Sequence, residues 1–172
     1  MLEVRLIKNF QLPKIGLRNI KTALAVYACM IIFQLIHREN PFFACIAAVF
    51  CMRDTVSNSI SMGKNRIIGT IIGGVLGIIV IYISNLIPFL YKITPIVTGI
   101  GIVIGIYICT LIKRPGAVII SCIVFIGIMI NYSSQIDSYS YAINRSFDTV
   151  IGIVIAILIN KYFNPPEEST NS

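Results

Sequence analysis

Asn65-Arg66-Ile67-Ile68-Gly69-Thr70-Ile71-Ile72-Gly73-Gly74-Val75-Leu76-Gly77 and Asn144-Arg145-Ser146-Phe147-Asp148-Thr149-Val150-Ile151-Gly152-Ile153-Val154-Ile155-Ala156 are two copies of one pattern, 79 positions apart. At 3.6 residues per turn, Arg66, Thr70, Gly73 and Gly77 fall on one helix face, and Arg145, Thr149, Gly152 and Ala156 fall on the matching face of the second copy. A charge, a hydroxyl and two small residues on one side of an apolar helix suit a partner helix or a pathway, not lipid.

The surroundings of both copies are apolar. The 172 residues are 56% hydrophobic and 12% charged, with mean hydropathy +0.87. A soluble domain carries about 25% charged residues, so the composition is that of an integral membrane protein. Net charge is +7, but the basic residues flank apolar runs and do not cluster on a soluble face. They read as orientation signals, and nucleic acid is not an expected partner. Cys29, Cys45, Cys51, Cys109 and Cys122 all lie inside apolar runs without a C-x-x-C pair. They read as small buried hydrophobes, with no metal or other cofactor expected.

Six runs read as spans: about 20–36, 41–52, 67–87, 95–112, 117–130 and 145–163. The second is shorter than the ~20 residues a crossing helix needs. It is either a re-entrant half-helix or a full span continued through Thr55, Ser57, Asn58, Ser59 and Ile60, and the continued span is preferred. Residues 1–19 form a basic amphipathic segment, residues 20–163 a six-helix membrane domain, and residues 164–172, after Pro165 and Pro166, a disordered cytoplasmic tail. With both termini inside, eleven Lys and Arg lie on the inner side, and only Arg38, Lys92 and Arg145 lie outside. That asymmetry argues for cytoplasmic termini in a multi-pass cell-membrane protein.

Aligned from Asn65 and Asn144, the copies share Asn, Arg, Thr, Ile, Gly, Val and Ile over 14 positions. A shorter echo sets Leu35-Ile36-His37-Arg38 against Leu111-Ile112-Lys113-Arg114. Two units of three helices are implied. An odd number of spans per unit inverts the second, so the expected fold is all-α, six transmembrane helices as two inverted three-helix repeats. Inversion puts Arg66 at the inner start of one helix and Arg145 at the outer start of another, one guanidinium at each mouth of a central route. Arg is permanently charged and forks onto carboxylates, and helix N-termini add positive potential.

The candidate substrate-binding residues are therefore Arg66, Thr70, Gly73, Arg145, Thr149 and Gly152. Asp54 and Asp148 are candidates for ion coupling. Asp148 takes the place of Gly69 in the alignment and, three residues after Arg145, is expected to neutralise it. The plainer readings are that Arg66 obeys the positive-inside rule, that the glycines pack helices, and that Arg53 and Asp54 form a self-neutralised surface pair. No H-E-x-x-H or G-x-S-x-G motif or paired intramembrane Asp is present, so no enzyme is expected.

At Gly16-Leu17-Arg18-Asn19-Ile20-Lys21-Thr22-Ala23-Leu24-Ala25, at Phe43-Ala44-Cys45-Ile46-Ala47-Ala48-Val49, at Met52 with Thr55 and Ser59, and above all at Gly63-Lys64-Asn65-Arg66-Ile67-Ile68-Gly69-Thr70-Ile71-Ile72-Gly73, the chain resembles the aromatic acid exporter, or fusaric acid resistance (FUSC-type), membrane proteins. The match covers about residues 14–163. The resemblance implies a six-helix membrane unit, efflux or conduction of organic, often aromatic, carboxylates, and a homodimer. Plant aluminium-activated malate channels look distantly similar, with basic residues along an anion pore. Many bacterial members carry a long cytoplasmic domain after the membrane unit, which here implies a separate cytoplasmic subunit. Transport of a small organic anion across the lipid bilayer is the leading expectation. A non-transporting, partner-binding membrane subunit is the alternative.

Overall fold

The computed structural model describes residues 16–38, 40–133 and 138–163, all helical or in short connections. The helices are α1 (Leu17–Leu35), α2 (Phe42–Cys51), α3 (Val56–Leu86), the short α4 (Pro88–Lys92), α5 (Thr94–Leu111), α6 (Val118–Ser133) and α7 (Ser138–Tyr162), with a 3₁₀ turn at Pro115–Ala117. The expected N-terminal amphipathic segment lies mostly outside the described residues, and the tail from 164 onward lies wholly outside them. Where residues 17–19 are described, they already belong to α1.

Among the described residues, four helical stretches are long and apolar enough to cross a bilayer: Val56–Leu86, Thr94–Leu111, Pro115–Tyr132 and Ser140–Tyr162. This is fewer than the six spans expected. α1 has 19 residues but carries Arg18 and Lys21 in its first turns. α2 has only 10 residues, about 15 Å of helix against a hydrocarbon core of about 30 Å.

The preferred continuation of the second run through Ile60 is therefore corrected. α2 stops at Cys51, and Val56 starts a new helix whose N-cap Thr55 accepts a hydrogen bond from the Asn58 amide at 3.2 Å. Unwound backbone inside a membrane protein persists only where other groups satisfy it, and here they do. The Arg53 amide donates to Ser59 Oγ at 3.2 Å, and the Arg53 carbonyl accepts from Asn160 Nδ2 at 2.9 Å. Asn160 also donates to Ser59 Oγ at 2.8 Å and accepts from Lys21 Nζ at 3.2 Å. Lys21, Ser59 and Asn160 are all buried, so α1, the α2–α3 break and the end of α7 are tied in one polar knot.

Two more boundaries move. α3 begins at Val56, not near 67, and α7 begins at Ser138, not at Arg145. Arg66 and Arg145 therefore stand well inside their helices. The expectation that each caps a helix start fails, because the dipole's field fades within the first turn.

Small residues set the packing. α3 lies mainly against α6, and α7 mainly against α2. A Cβ added at Gly69 or Gly73 would strike the Ala117 or Ser121 carbonyl of the α6 segment, and one at Gly152 would strike the Ala44 carbonyl of α2. Close backbone approach of this kind is how membrane helices gain packing contact without a hydrophobic driving force. The core of the α1–α2–α7 half is likewise small, with Ala25, Cys29, Ala44, Ala47, Ala48, Cys51 and Ala156 all fully buried.

The four-residue echo also has a structural counterpart. His37 and Lys113 are the non-glycine residues with positive φ among the described residues, at 52° and 55°. Each closes its helix with the same pair of bonds. Arg38 N reaches Phe33 O at 2.9 Å and His37 N reaches Gln34 O at 3.2 Å, while Arg114 N reaches Cys109 O at 3.0 Å and Lys113 N reaches Thr110 O at 2.9 Å. These are two Schellman caps.

Candidate functional site

Between α2 and α6, over a floor made by α3 and α7, lies a cleft of about 510 Å³. α2 lines it with Phe42, Phe43, Ile46 and Phe50, and α6 with Ile120, Ile123, Val124, Ile126 and Gly127. Arg66 and Thr70 of α3 and Tyr141, Arg145 and Thr149 of α7 complete it. One wall is aromatic, the other aliphatic, and the charge on its lining is two guanidinium groups. Phe42, Phe50 and Ile123 are exposed at its side.

The two stripes therefore divide. Arg66 with Thr70, and Arg145 with Thr149, face the cleft. One or two turns further on, Gly73 and Gly152 pass beneath α6 and α2, where the neighbouring carbonyl fills the space a side chain would need. Of the six residues singled out as substrate-binding, the structure brings four together and assigns the two glycines to helix packing.

Arg66 is 5% exposed, and its Nε and Nη1 are buried without a hydrogen-bond partner among the described residues. Its contact is the Phe50 ring, 5.5 Å from the guanidinium carbon to the centroid. Arg145, 6% exposed, donates from Nη1 to the Tyr141 hydroxyl at 2.7 Å and lies 4.2 Å over Phe43. Gly127 leaves room for that pair, since a Cβ there would come within 2.7 Å of the Tyr141 hydroxyl and 3.2 Å of Arg145 Nη1.

Neither candidate coupling carboxylate behaves as expected. Asp148 does not neutralise Arg145. Its Oδ1 pairs with Arg38 Nη2 at 3.1 Å, and Arg38 also donates to Asn144 Oδ1 at 3.0 Å. Asp54 pairs with Arg18 at 3.7 Å in the open, not with Arg53, because Arg53 is held by its backbone in the knot around Asn160. Arg66 and Arg145 are thus left without a carboxylate partner among the described residues. A charge without a counter-ion costs at least ~2.5–3.5 kcal/mol at the centre of a bilayer, and charged residues inside membrane helices usually mark substrate or ion pathways.

Sequence reasoning missed the aromatic partners. Phe43, Ile46 and Phe50 follow an i, i+3, i+7 spacing on α2, a face that could have been read from the sequence. Arg38 was read only as an orientation signal.

Long apolar helices and a broken helix pair that bury two guanidinium groups in an aromatic-walled cleft, neither with a carboxylate partner among the described residues, define a helical membrane protein. The chain belongs to the aromatic acid exporter family: the model of aromatic acid exporter family member 1 matches residues 13–163. Among curated proteins it is similar to the UPF0421 protein YgaE of Bacillus subtilis, 26% identical over 157 residues, covering 91% of this chain and 42% of that protein. The UPF0421 protein SSP0904 of Staphylococcus saprophyticus is 28% identical over 170 residues, covering 95% of this chain and 49% of that one. The chain spans less than half the length of these relatives. No solved structure matches it.

Proposed function

We propose that this chain is the membrane unit of a non-enzymatic transporter that moves organic carboxylate anions, aromatic ones among them, out of the cell. The observation that carries the reading is Arg66: buried, its Nε and Nη1 without an acceptor among the described residues, and lining the same cleft as Arg145. A carboxylate would supply the missing acceptor, and the Phe42, Phe43 and Phe50 wall would receive an aromatic ring. Thr70 and Thr149 stand beside the two arginines as additional donors.

Two inverted three-helix units remain our reading of the architecture. The twin Schellman caps at His37 and Lys113, and the exchange in which Gly73 meets Ser121 while Gly152 meets Ala44, support it. A discontinuous helix pair, α2 and α3, beside the cleft also fits inverted-repeat transporters. Cytoplasmic termini follow from the charge asymmetry, and the homodimer implied by the resemblance is part of the proposal.

The test is flux of a labelled hydroxybenzoate from proteoliposomes holding the purified protein. Saturable flux that falls with Arg66→Ala and Arg145→Ala is expected. Absence of flux, or flux indifferent to both substitutions, overturns the reading.

A further inference from the structure

The cleft is the middle member of a series of three cavities. At one end it shares Phe43, Tyr141 and Arg145 with a cavity of about 340 Å³ that is also lined by Arg38, Asn40, Asn144 and Asp148. Asn40 and Asn144 are exposed, so that cavity reaches the surface. At the other end the cleft shares Phe50, Arg66 and Ile120 with a small cavity of about 60 Å³, which continues past Cys51, Met62 and Ile119 to the exposed Gly116. The boundaries between successive cavities therefore have one composition, a guanidinium under a phenylalanine ring: Arg145 with Phe43 and Arg66 with Phe50.

Both rings come from α2. They are seven residues apart on one face, about 10 Å along the axis, and the small, fully buried Ala44, Ala47, Ala48 and Cys51 seat α2 against the rest of the bundle. The opposing α6 wall is aliphatic and ends at Gly127, so it sets no ring against either phenylalanine, while Tyr141 of α7 packs edge-on against Phe43 with the ring centroids 5.8 Å apart. The Arg66 boundary is thus narrowed by the Phe50 ring alone, and the Arg145 boundary by Phe43, the nearer of two rings at 4.2 Å against 5.9 Å for Tyr141. An anion approaching a guanidinium competes with that ring for the same charge.

We propose that Phe43 and Phe50 are the two constriction residues of a route running from the Arg38–Asn144 surface through the cleft to the Gly116 surface, each controlling access from its own side. The inference rests on the transport reading for its substrate but not for its test. Passage at either end exchanges a ring–guanidinium contact for a carboxylate–guanidinium contact. With both rings seated, the cleft is closed to water-borne anions at both ends.

Access can be measured without transport. Thr70→Cys places a thiol on the cleft wall, and a membrane-impermeant anionic thiosulfonate is applied to one face of oriented proteoliposomes at a time. Labelling of protein without Thr70→Cys is subtracted to remove the native cysteines. With both rings present, labelling is expected to be slow from either face. Phe43→Ala should accelerate it about tenfold for reagent on the Arg38–Asn144 face only, and Phe50→Ala by a similar factor on the Gly116 face only, in line with loss of a desolvated cation–π contact. Phe43→Leu and Phe50→Leu keep apolar volume without the ring, and they should act in the same direction if an alanine variant fails to fold. Fast labelling with both rings in place, acceleration from both faces by one substitution, or no acceleration in any folded variant overturns the proposal. Side-specific acceleration in a protein that carries no hydroxybenzoate flux upholds the constrictions and removes the transport reading instead.

Discussion

Arg38 Nη2 stands 3.1 Å from Asp148 Oδ1, while Arg145, one turn before Asp148 on the same helix, finds a tyrosine hydroxyl instead. That choice of partner keeps Arg145 free of any carboxylate among the described residues and fixes the end of α1 against α7. Because Arg38 is partly exposed, the pair is worth less than the ~3–5 kcal/mol lost on breaking a fully buried one. Asp148→Asn should lower stability by about 1–2 kcal/mol in thermal unfolding in detergent. Arg38→Gln should cost a similar amount, and the double variant little more than either. Fully additive losses would contradict the pairing.

Adjacent glycines should respond oppositely. A methyl at Gly73 would press on the Ser121 backbone, whereas one at Gly74 meets nothing within 4 Å. Gly73→Ala is expected to destabilise the protein by about 1–3 kcal/mol through overpacking. Gly74→Ala should be neutral or stabilising by up to ~1 kcal/mol, as for helix glycines with room for a methyl group. Melting curves of the two variants decide it, and equal behaviour would mean that the α3–α6 contact is misplaced.

The break between α2 and α3 depends on Asn160. Its side chain meets the Arg53 carbonyl, Ser59 Oγ and Lys21 Nζ, all from distant parts of the chain. Asn160→Ala leaves the Arg53 carbonyl and the buried Ser59 Oγ each short of a donor and removes one acceptor from Lys21, so a loss of about 2–4 kcal/mol is expected. Ser59→Ala should cost less, and the two should be non-additive. Full stability of Asn160→Ala would show that the unwound segment is held by other means.

Gly127 separates function from packing. The atoms a Cβ would meet there are the ends of Tyr141 and Arg145, which can move. Gly127→Ala should therefore change stability by no more than about 1 kcal/mol while displacing Arg145. Hydroxybenzoate flux or binding is expected to fall several-fold. Unchanged affinity with Arg145 displaced would place the substrate elsewhere.

At Arg66, charge and geometry can be told apart. Arg66→Lys keeps a cation but loses the planar fork, and Arg66→Gln loses both. A charge-assisted hydrogen bond is worth ~1.5–3 kcal/mol. Binding should therefore weaken by about tenfold or more in Arg66→Gln and by an intermediate factor in Arg66→Lys. Equal binding in all three proteins would exclude contact with the anion.

Much of this was legible in the chain. The apolar runs located the long helices, and the doubled Arg-x-x-x-Thr pattern located the four side chains that meet in the cleft. The Leu-Ile-x-Arg echo marked two identical helix ends. Less legible was where a helix starts when polar residues precede an apolar run. Ser57, Asn58, Ser59 and Ile60 looked like the tail of α2 but belong to α3, because Thr55 caps a helix there and Asn160 satisfies the gap before it.

By itself, the order of residues determined a helical membrane protein with a repeated basic stripe, since hydropathy and the 3.6-residue period are properties of neighbours along the chain. Only the tertiary structure decided that the stripe splits, its arginines and threonines opening on a cleft and its glycines disappearing under α6 and α2. It also decided that Asp148 belongs to Arg38 and that two phenylalanines of α2 sit over the two cations. The physical reason is range: periodicity reports a face, but which backbone or charge that face meets depends on other helices, from 16 positions away for Phe50 and Arg66 to 110 for Arg38 and Asp148.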